Sequence, residues 1–396
     1  MINLYRKLPR AGGFSLVELM VSIVIGLLAI LFATRIMTDN ERNKDAALGS
    51  ADSMQNGMLA MFSMSLDAEQ AGFGLNDPLL LGCNTLFNDS QGYRLAPATR
   101  AGVTIAPLAP LVIENNPTGS DRITMYAGSA PGGTAVLRLS ANYLNGGNAL
   151  TVDRVPYGFN LGDVLVVAPE TPGDNCALSQ VGQDPAGDAA PPAIQQLRIG
   201  GNGQRFNNGG AGLGQAYTGN TARVFNLGPG NRLAFRSWSV QSGYLRLQST
   251  DMAGAANASQ AVADNIVLLK AQYGFDTRPA IEFDSATDAR IGRWSSTMID
   301  ADGAGGAGSA GDFGRVVAVR LALVARSKNP QRPPVNGDCT ATTQAPTLFG
   351  STQPSGVTAV PVTLGLTVAG DTVDWRCYNY RVFETIISLR NAGWRP

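Results

Sequence analysis

The sequence predicts an α+β protein with one long amino-terminal helix, membrane-spanning in its first half, and a β-rich globular domain after it. Three observations lead to this prediction. An apolar run begins near residue 14, an apolar period typical of helices continues to Gly72, and short β-type runs follow towards the carboxyl terminus. We therefore expect a helix over 14–72, crossing the membrane to about residue 35, and a globular domain over 73–396.

The composition argues against nucleic-acid binding and against most enzymes. The 396 residues include 30 Lys and Arg and 30 Asp and Glu, so the chain lacks the basic excess that neutralises phosphates. Histidine is absent, which excludes Ser-His-Asp and Cys-His arrangements and removes the most common transition-metal ligand. We therefore expect that the protein is not an enzyme and has no cofactor and no nucleic-acid partner.

The amino-terminal segment is expected to anchor the chain in a membrane. Arg6, Lys7 and Arg10 form a basic flank without any acid, which the positive-inside rule places in the cytoplasm. The apolar segment 14–33 is about 20 residues long, enough for a helix to cross the hydrocarbon core. No small-x-small cleavage site follows it, which argues against an ordinary secretory signal. Glu18 lies inside this segment, where a carboxylate costs about 2.5–3.5 kcal/mol near the membrane centre and calls for a partner.

The run GGFSLVELM, which begins at Gly12, resembles the class III prepilin signature. The resemblance implies that a prepilin peptidase cuts after Gly13, which makes 1–13 a leader, and that Phe14 becomes the methylated amino terminus. Glu18 is then the fifth residue of the mature chain. Its carboxylate and the Phe14 ammonium can neutralise each other between neighbouring subunits, where water is scarce. The alternative is a signal anchor whose Glu18 reaches water one helical turn from the membrane surface.

Beyond the membrane span the chain is expected to remain helical over 38–72. Apolar residues recur there every three to four positions, and we expect this stripe to face the core. The stripe consists of Met54, Met58, Met61, Phe62, Ser65 and Leu66. Gly72 and Gly74 are the expected stop signal. The helix lacks the proline that kinks it in many major pilins, which argues against a major pilin.

Short β-type runs with turn signals predict a sheet structure beyond Gly74. The predicted strands cover 122–127, 135–139, 163–168, 223–227, 233–240, 244–248, 265–275, 315–327 and 378–389. Two of these runs flank Gln241-Ser242-Gly243, and their alternating pattern with glycine in the turn predicts a β-hairpin.

The four cysteines are Cys83, Cys176, Cys339 and Cys377, and no two of them form a C-x-x-C pair. This spacing argues against a zinc or thioredoxin-type site and favours an oxidising compartment. An even number of cysteines in an exported chain suggests two disulfides, for which the sequence permits three connectivities. We favour Cys83 with Cys176 and Cys339 with Cys377, and free buried thiols are the alternative.

Other segments match ligand sites only in part. The acids from Asp300 to Asp312 suggest a calcium loop, but the spacing lacks a third oxygen ligand and a bidentate acid, so we expect a flexible glycine-rich loop. The glycines of 200–214 lack a phosphate-binding motif and are expected to form a mobile loop. No lysine lies in an S-x-x-K context. The basic run 326–332 is expected to be a solvated loop rather than a partner contact.

Several segments also resemble the PilW family of minor pilins. These are the helix end AEQAGFG from Ala68, the strand NIVLLKAQYG from Asn265, the run from Arg315 to Arg326 and the ending RVFETIISLRN from Arg381. The resemblance implies a pilin-like fold, in which the long helix packs on an antiparallel, β-rich domain. It also implies a structural role in the initiation of type IV pilus assembly and in the formation of a tip complex with other minor pilins. Further implied partners are major pilins, contacted through the helix, the prepilin peptidase and a tip adhesin.

The same resemblance implies a single-pass protein of the inner membrane with a periplasmic globular domain, which later lies at or near the pilus tip. Two alternatives remain open. A minor pseudopilin of a type II secretion system shares this amino terminus, although the larger globular part here favours the pilus. A membrane-anchored periplasmic enzyme is the second alternative, and the absence of histidine argues against it.

Overall fold

The computed structural model describes residues 15–130, 136–184, 193–201, 203–208, 212–284, 288–331, 333 and 337–393. Its helices are α1 (Leu16–Gln70), α2 (Ala310–Gly314) and α3 (Arg390–Gly393). α1 is 55 residues long and contains no proline. The chain divides between Ala51 and Asp52 into two compact units, and the second holds the end of α1 together with the described strands.

Twenty strands lie in the described part of the second unit. They are β1 (Thr85–Leu86), β2 (Ala98–Arg100), β3 (Val103–Ile105), β4 (Leu111–Glu114), β5 (Arg122–Ala127), β6 (Val136–Arg138), β7 (Ala149–Thr151), β8 (Asp163–Pro169), β9 (Cys176–Gln180), β10 (Gln196–Arg198), β11 (Ala222–Pro229), β12 (Ala234–Gln241), β13 (Tyr244–Ser249), β14 (Gln260–Asp264), β15 (Ile266–Phe275), β16 (Arg293–Ser295), β17 (Val316–Arg326), β18 (Thr347–Leu348), β19 (Val362–Thr363) and β20 (Tyr380–Ser388).

Three larger sheets organise these strands. The head sheet has the order β1-β9-β8-β11-β6, the middle sheet β14-β13-β12-β5-β4 and the carboxyl-terminal sheet β16-β15-β17-β20. Within the described strands, β1 and β9 form the single parallel pair, and the other ladders are antiparallel. The predicted fold class, a long amino-terminal helix followed by an antiparallel, β-rich domain, is confirmed.

The predicted hairpin is formed by β12 and β13. Gln241 pairs with Tyr244, which leaves a two-residue turn of Ser242 and Gly243. Both turn residues are left-handed, with φ of 49° and 80°. A two-residue turn with two positive φ values matches the right-handed twist of its flanking strands, and glycine at the second position adopts that conformation without strain.

The head sheet is buried on both faces because it separates two cores. On β8, Val164 and Val166 face a core shared with Phe235 of the middle sheet. Leu165 and Val167 face the opposite way, into a second core within the head. A strand that is covered on both sides has no polar face, which accounts for the unbroken apolar run of β8.

The end of α1 packs on the middle and carboxyl-terminal sheets through a face of small residues and one methionine. Ala60, Met64 and Ala68 are fully buried there, in one core with Trp238 of β12 and Leu321 of β17. Alanines let the helix approach the sheets closely, while Met64 fills the space between them.

The predicted core-facing stripe of α1 is wrong at most of its positions. Of its six residues, Met61 is buried and Ser65 is half-buried. The other four, Met54, Met58, Phe62 and Leu66, are exposed. This part of α1 is apolar on two faces, so the period of its large residues selected the outer face instead of the packed face.

Two glycines end α1 where the sequence predicts the stop. Gly72 and Gly74 have φ of 84° and 73°, a conformation that glycine adopts without the penalty of a Cβ. The backbone N–H of Gly72 donates to the carbonyl of Tyr126 at 2.8 Å, and this hydrogen bond links the end of α1 to β5.

Candidate assembly surface on the amino-terminal helix

The first part of α1 exposes apolar side chains on every face. The stretch Leu16–Thr38 contains 23 residues and is long and apolar enough to cross a membrane, with its most apolar window unburied. Glu18 is the acid of the first helical turn, and its side chain is exposed. Gly13 and Phe14, the expected processing site, lie outside the described residues. A helix that is apolar all round needs lipid or other polypeptides to cover it.

A second apolar surface lies on α1 beyond Ala51. Met54, Met58, Phe62 and Leu66 have exposed fractions of 46%, 53%, 62% and 42%. We call these four residues the outer row. Because they are spaced four apart, their side chains form one continuous ridge along the helix. A ridge of this spacing fits the groove between the side-chain rows of another helix.

The face opposite the outer row is fixed to the middle sheet by a buried carboxylate. Asp67 accepts a hydrogen bond from the indole N–H of Trp238 at 2.8 Å and forms an ion pair with Arg236. Arg236 also pairs with Asp251, with Nη2 and Oδ2 2.5 Å apart. Burial raises the pKa of Asp67, whereas Arg236 and the Trp238 N–H favour its charged form. These contacts hold one rotational setting of the helix, with the outer row facing away from the sheets.

Two further contacts fix the position of this helix. A Cβ at Gly57 would overlap the ring of Phe383 on β20, so the absence of a side chain lets the strand approach the helix. At the carboxyl end of the chain, the side-chain amide of Asn391 donates to the carbonyls of Glu69 and Ala71, at 3.0 and 3.4 Å. These carbonyls lie in the last turn of α1 and just beyond it, where no intrahelical donor remains for them.

Two family models match the chain. Residues 238–391 match the family of type IV pilus-assembly protein W, PilW, and residues 8–34 match the prokaryotic N-terminal methylation motif. The two matches support a PilW-type pilin. Pilins are structural proteins rather than enzymes, and the methylation motif agrees with a membrane-anchored chain. The PilW match begins at Trp238, the residue that binds Asp67, and contains the carboxyl-terminal sheet on which α1 packs.

Other comparisons add little to this assignment. A search of curated proteins found no match. Among solved structures, a type IV-like pilin from Thermus thermophilus is 12% identical, with 87% of this chain and 98% of that chain covered and a TM-score of 0.27. A likeness at that score carries no weight in assigning the fold or the function.

The four cysteines form two disulfides. Cys83 is bonded to Cys176 and Cys339 to Cys377, the pairs that the sequence analysis favours. The first bond spans 93 residues and links the chain just before β1 to the first residue of β9. The second spans 38 residues and ties the loop before β18 to the segment that leads into β20. Both bonds restrict the unfolded chain more strongly than they restrict the folded one.

The acids from Asp300 to Asp312 organise their own loop. Asp312 is fully buried, and its two carboxylate oxygens accept four backbone hydrogen bonds from residues on both sides of the glycine-rich turn. One carboxylate oxygen each of Asp300, Asp302 and Asp312 lies within 4.8 Å of the others. The loop is therefore more ordered than the expected flexible loop, because a buried carboxylate draws its backbone together.

The described residues of 200–214 are anchored, in contrast to the expected mobile loop. Arg205 forms a bidentate pair with Asp89, at 2.8 and 2.7 Å. Phe206 and Leu213 are fully buried in the two cores of the head. The many glycines of this segment suggested a mobile backbone, but the few large side chains between them fix its position.

Lys270 is part of a buried structural ion pair. Its ammonium contacts Asp121 and donates to the carbonyl of Asn116 at 2.8 Å. Burial raises the pKa of Asp121, and Lys270 opposes this shift. The pair joins β15 to the residues just before β5, so its role in the described structure is to hold these two segments together.

The basic run 326–332 begins with a paired arginine. The Arg326 guanidinium forms an ion pair with Asp371 and lies 4.3 Å from the centre of the Tyr378 ring. Arg326 is therefore fixed at the end of β17, whereas residues 328–331 of the run are exposed, in agreement with the expected solvated loop. Residue 332, at the end of the run, lies outside the described residues.

Sequence reasoning missed the contacts that fix the helix. Asp67 carried a usable signal, because an acid on an apolar helix face calls for a buried partner. Gly57 carried a second signal, since glycine inside a helix costs about 1 kcal/mol and usually marks a close approach. The identities of Trp238, Arg236 and Phe383 as partners depend on long-range pairing, which the sequence pattern does not contain.

Proposed function

We propose that this PilW-type pilin is a minor pilin that helps to start type IV pilus assembly and joins a tip complex with other minor pilins. It is made as a single-pass protein of the inner membrane with a periplasmic globular domain, and it then lies at or near the pilus tip. Its role is structural, and no catalytic step is part of the proposal. A tip adhesin and the major pilin are further partners.

The observation that carries the proposal is the outer row. Its four large apolar side chains face away from the sheets on a helix that is already fixed on its other face. Exposed apolar ridges are costly for a protein that stays alone in water, and they mark surfaces that another chain covers. Because the ridge follows a helix axis at a spacing of four residues, a second pilin helix is the partner that fits it.

The amino terminus supports the same proposal. Cleavage after Gly13 frees the amino group of Phe14, whose charge in a membrane needs a counter-charge. Glu18 lies one helical turn further along and is exposed in this chain, so its carboxylate is accessible to the Phe14 ammonium of a neighbour. We propose that this pairing fixes the axial position of each subunit relative to the next, while the apolar surfaces supply most of the binding.

The size of the head favours a minor pilin over a subunit of the filament shaft. The PilW match begins at residue 238, whereas the head sheet and the core that lies within the head are built from segments that precede this residue. A filament repeats its major subunit along the whole length, so every addition to the globular part must fit between neighbours. At a tip the same addition has free space on one side.

The experiment that tests this function replaces Glu18 by alanine in the full-length chain. Removing a carboxylate from the membrane helix should leave insertion and cleavage after Gly13 unchanged. Docking should become weaker, because the Phe14 ammonium of the neighbour loses its counter-charge. We expect the amount in sheared pili to fall about tenfold or more relative to the amount in membranes.

Leu19→Ala is the matched control, because it shortens a neighbouring side chain without changing charge. It should be cleaved like the wild type, and its recovery in pili should stay well above that of Glu18→Ala. Immunoblots of membranes and of sheared pili measure both variants, and mass spectrometry of the mature amino terminus measures processing. Recovery of Glu18→Ala in pili at the wild-type level would reject the proposed pairing and favour a simple signal anchor.

A further inference from the structure

A cleft lies on the globular domain between the β2–β3 hairpin and β4, the edge strand of the middle sheet. It has a volume of about 760 Å³, and Tyr273 of β15 and Met298 line it together with residues of the hairpin and of β4. This volume lies within the range of small-molecule sites, about 300–1,000 Å³. Among the described residues that line the cleft, none belongs to α1, so the proposed assembly role leaves the cleft unused.

The hairpin directs two hydroxyls to the cleft and is anchored through its other face. Thr99 and Thr104 form a cross-strand pair, and both line the cleft. Arg100 lies on the opposite face, because side chains alternate along a strand. Its guanidinium donates to the carbonyl of Gly308 at 2.9 Å and to that of Gly173 at 2.6 Å. These bonds fix the hairpin in place without a ligand, which lowers the entropic cost of binding one.

The polar side chains of the cleft have unused hydrogen-bonding capacity. Within the described part of the chain, the hydroxyls of Thr99, Thr104 and Thr297 have no hydrogen-bond partner. The Glu114 side chain is 27% exposed, and its carboxylate accepts no hydrogen bond from a described residue. Arg122 Nε lies 3.5 Å from Glu114 Oε1, which is longer than a charge-assisted hydrogen bond. The Glu114 carboxylate is therefore available as a strong acceptor for ligand hydroxyls.

The charge and the apolar surface of the cleft restrict the class of ligand. Glu114 is the one charged residue among the described residues that line it, so an acidic ligand would bring a second negative charge to a cleft lined by no cation. Arg122 lies beside Glu114 and reduces its attraction for a cationic ligand. Pro97 and Met298 add apolar surface. Hydroxyls that donate and accept, next to apolar surface, match a neutral sugar, whose rings carry hydroxyls at their edges and C–H groups on their faces.

We propose that the cleft binds a neutral oligosaccharide, with Glu114 accepting hydrogen bonds from its hydroxyls and with Thr99 and Thr104 binding it from the hairpin. The inference goes beyond the proposed function, because it gives the globular domain a ligand of its own. An added peptide strand fits less well, because the N–H of Ile113 on the edge strand β4 already donates to the Tyr273 hydroxyl.

The test uses the full-length protein, in a detergent without a sugar head group, on an array of immobilised neutral oligosaccharides and their sialylated counterparts. The double variant Thr99→Val/Thr104→Val removes both hydroxyls and keeps β-branched side chains on an exposed hairpin, so it should fold like the wild type. We expect the wild type to bind neutral oligosaccharides and to bind the sialylated counterparts more weakly. The double variant should bind the neutral ones about tenfold more weakly than the wild type.

Val103→Thr is the matched control, because Val103 is 64% exposed and lies on the hairpin face that does not line the cleft. It should bind like the wild type. Calorimetry with the oligosaccharide that binds most strongly on the array measures these affinities. Equal affinity of the double variant and the control would overturn the proposal, and so would the absence of binding to every neutral oligosaccharide or a preference for the sialylated ones.

A second variant is needed if the double variant has a lower melting temperature than the wild type. Glu114→Gln keeps the size of the side chain and removes the charge that strengthens its hydrogen bonds with ligand hydroxyls. It should weaken binding about tenfold. Unchanged affinity of Glu114→Gln would then overturn the proposal.

Recovery in sheared pili separates this inference from the proposed function. The double variant should enter pili at the wild-type level while it binds oligosaccharides more weakly, which would support a ligand site that is independent of assembly. Reduced recovery of the double variant in pili, with unchanged affinity for oligosaccharides, would assign the cleft to a contact between subunits and overturn this inference. Normal recovery of Glu18→Ala in pili would reject the proposed pairing at the amino terminus and leave the oligosaccharide site intact.

Discussion

The two parts of α1 use apolar residues in different ways. Leu16–Thr38 is apolar around its whole circumference, and its most apolar window is not buried by the residues that the structure describes. Residues 52–70 are apolar on two faces, of which one packs on the sheets and the other is exposed. The first part depends entirely on lipid or other chains, whereas the second divides its apolar surface between its own domain and a partner.

Residue size separates the two faces of the second part. The inner face carries Gly57, Ala60 and Ala68, which let β17, β12 and β20 approach the helix. The outer face carries large residues such as Met58 and Phe62. Small residues gain little from burial individually but permit close packing of the backbone, whereas large residues gain most when a second surface covers them. The difference shows that hydrophobicity locates a packed face less well than side-chain size does.

A charge placed on each face in turn should have opposite consequences for folding. Met64→Glu puts a carboxylate without a partner among fully buried residues, which should cost about 4 kcal/mol or more and prevent the globular part from folding. Phe62→Glu, two positions earlier, places the same charge on the exposed face. It should leave the unfolding free energy within about 0.5 kcal/mol of the wild type.

Phe62→Glu should have a large effect on assembly, although its effect on the unfolding free energy is small. A carboxylate in the outer row opposes docking of an apolar helix, so this variant should be present in membranes at the wild-type level and depleted in pili. Denaturant unfolding monitored by Trp fluorescence measures the first effect, and immunoblots of sheared pili measure the second. Normal recovery of Phe62→Glu in pili would show that the outer row is not covered by another subunit.

A smaller effect is expected at Asp67, the one acid buried on the inner face. Asp67→Ala leaves the Trp238 N–H without an acceptor and removes one of the two carboxylates that pair with Arg236, at a cost of about 2 kcal/mol. Asp67→Asn keeps an acceptor for Trp238 and removes only the charge. It should cost less than the alanine variant, because the amide avoids the desolvation of a carboxylate.

The pH dependence of Asp67→Asn tests the direction of the pKa shift. Burial raises the pKa of Asp67 above its ordinary value of 3.8. The Asp67 carboxyl group is therefore still protonated in the folded state at pH values where it is already ionised in the unfolded state. The unfolding free energy of the wild type should therefore fall relative to that of Asp67→Asn as pH rises from below 3.8 through the folded-state value. Thermal melts of both proteins between about pH 3 and pH 7 measure this difference. A difference that rises with pH would mean that the pairing with Arg236 outweighs burial.

Local patterns in the sequence were sufficient for the elements of the fold. Two alternating runs predicted β12 and β13, and Gly243 marked the hairpin turn between them. Three long apolar runs predicted β15, β17 and β20. The candidate membrane span of α1, Leu16–Thr38, could be predicted because it is apolar on all sides. In each case the signal lies within about a dozen neighbouring residues.

The arrangement of those elements could not be predicted in the same way. Both faces of α1 beyond Ala51 show a helical period, so the period gave no means to choose between them. The choice is made by Asp67, Gly57 and their partners on β12 and β20, which lie more than 160 residues away in the chain. The buried Asp312 likewise orders a loop whose composition alone suggests freedom.

The smallest expected effect, and the most direct test of the close-packed inner face, is at Gly57. Alanine is favoured over glycine in a helix by about 1 kcal/mol, but here its Cβ would overlap the Phe383 ring. The clash should exceed the gain, so Gly57→Ala should lower the unfolding free energy by about 1 kcal/mol. In a Phe383→Ala background the ring is gone, and the same substitution should instead raise it by about 1 kcal/mol. The four proteins form a double-mutant cycle that denaturant unfolding can measure. A stabilising effect of Gly57→Ala in both backgrounds would mean that the strand and the helix are further apart than this structure places them.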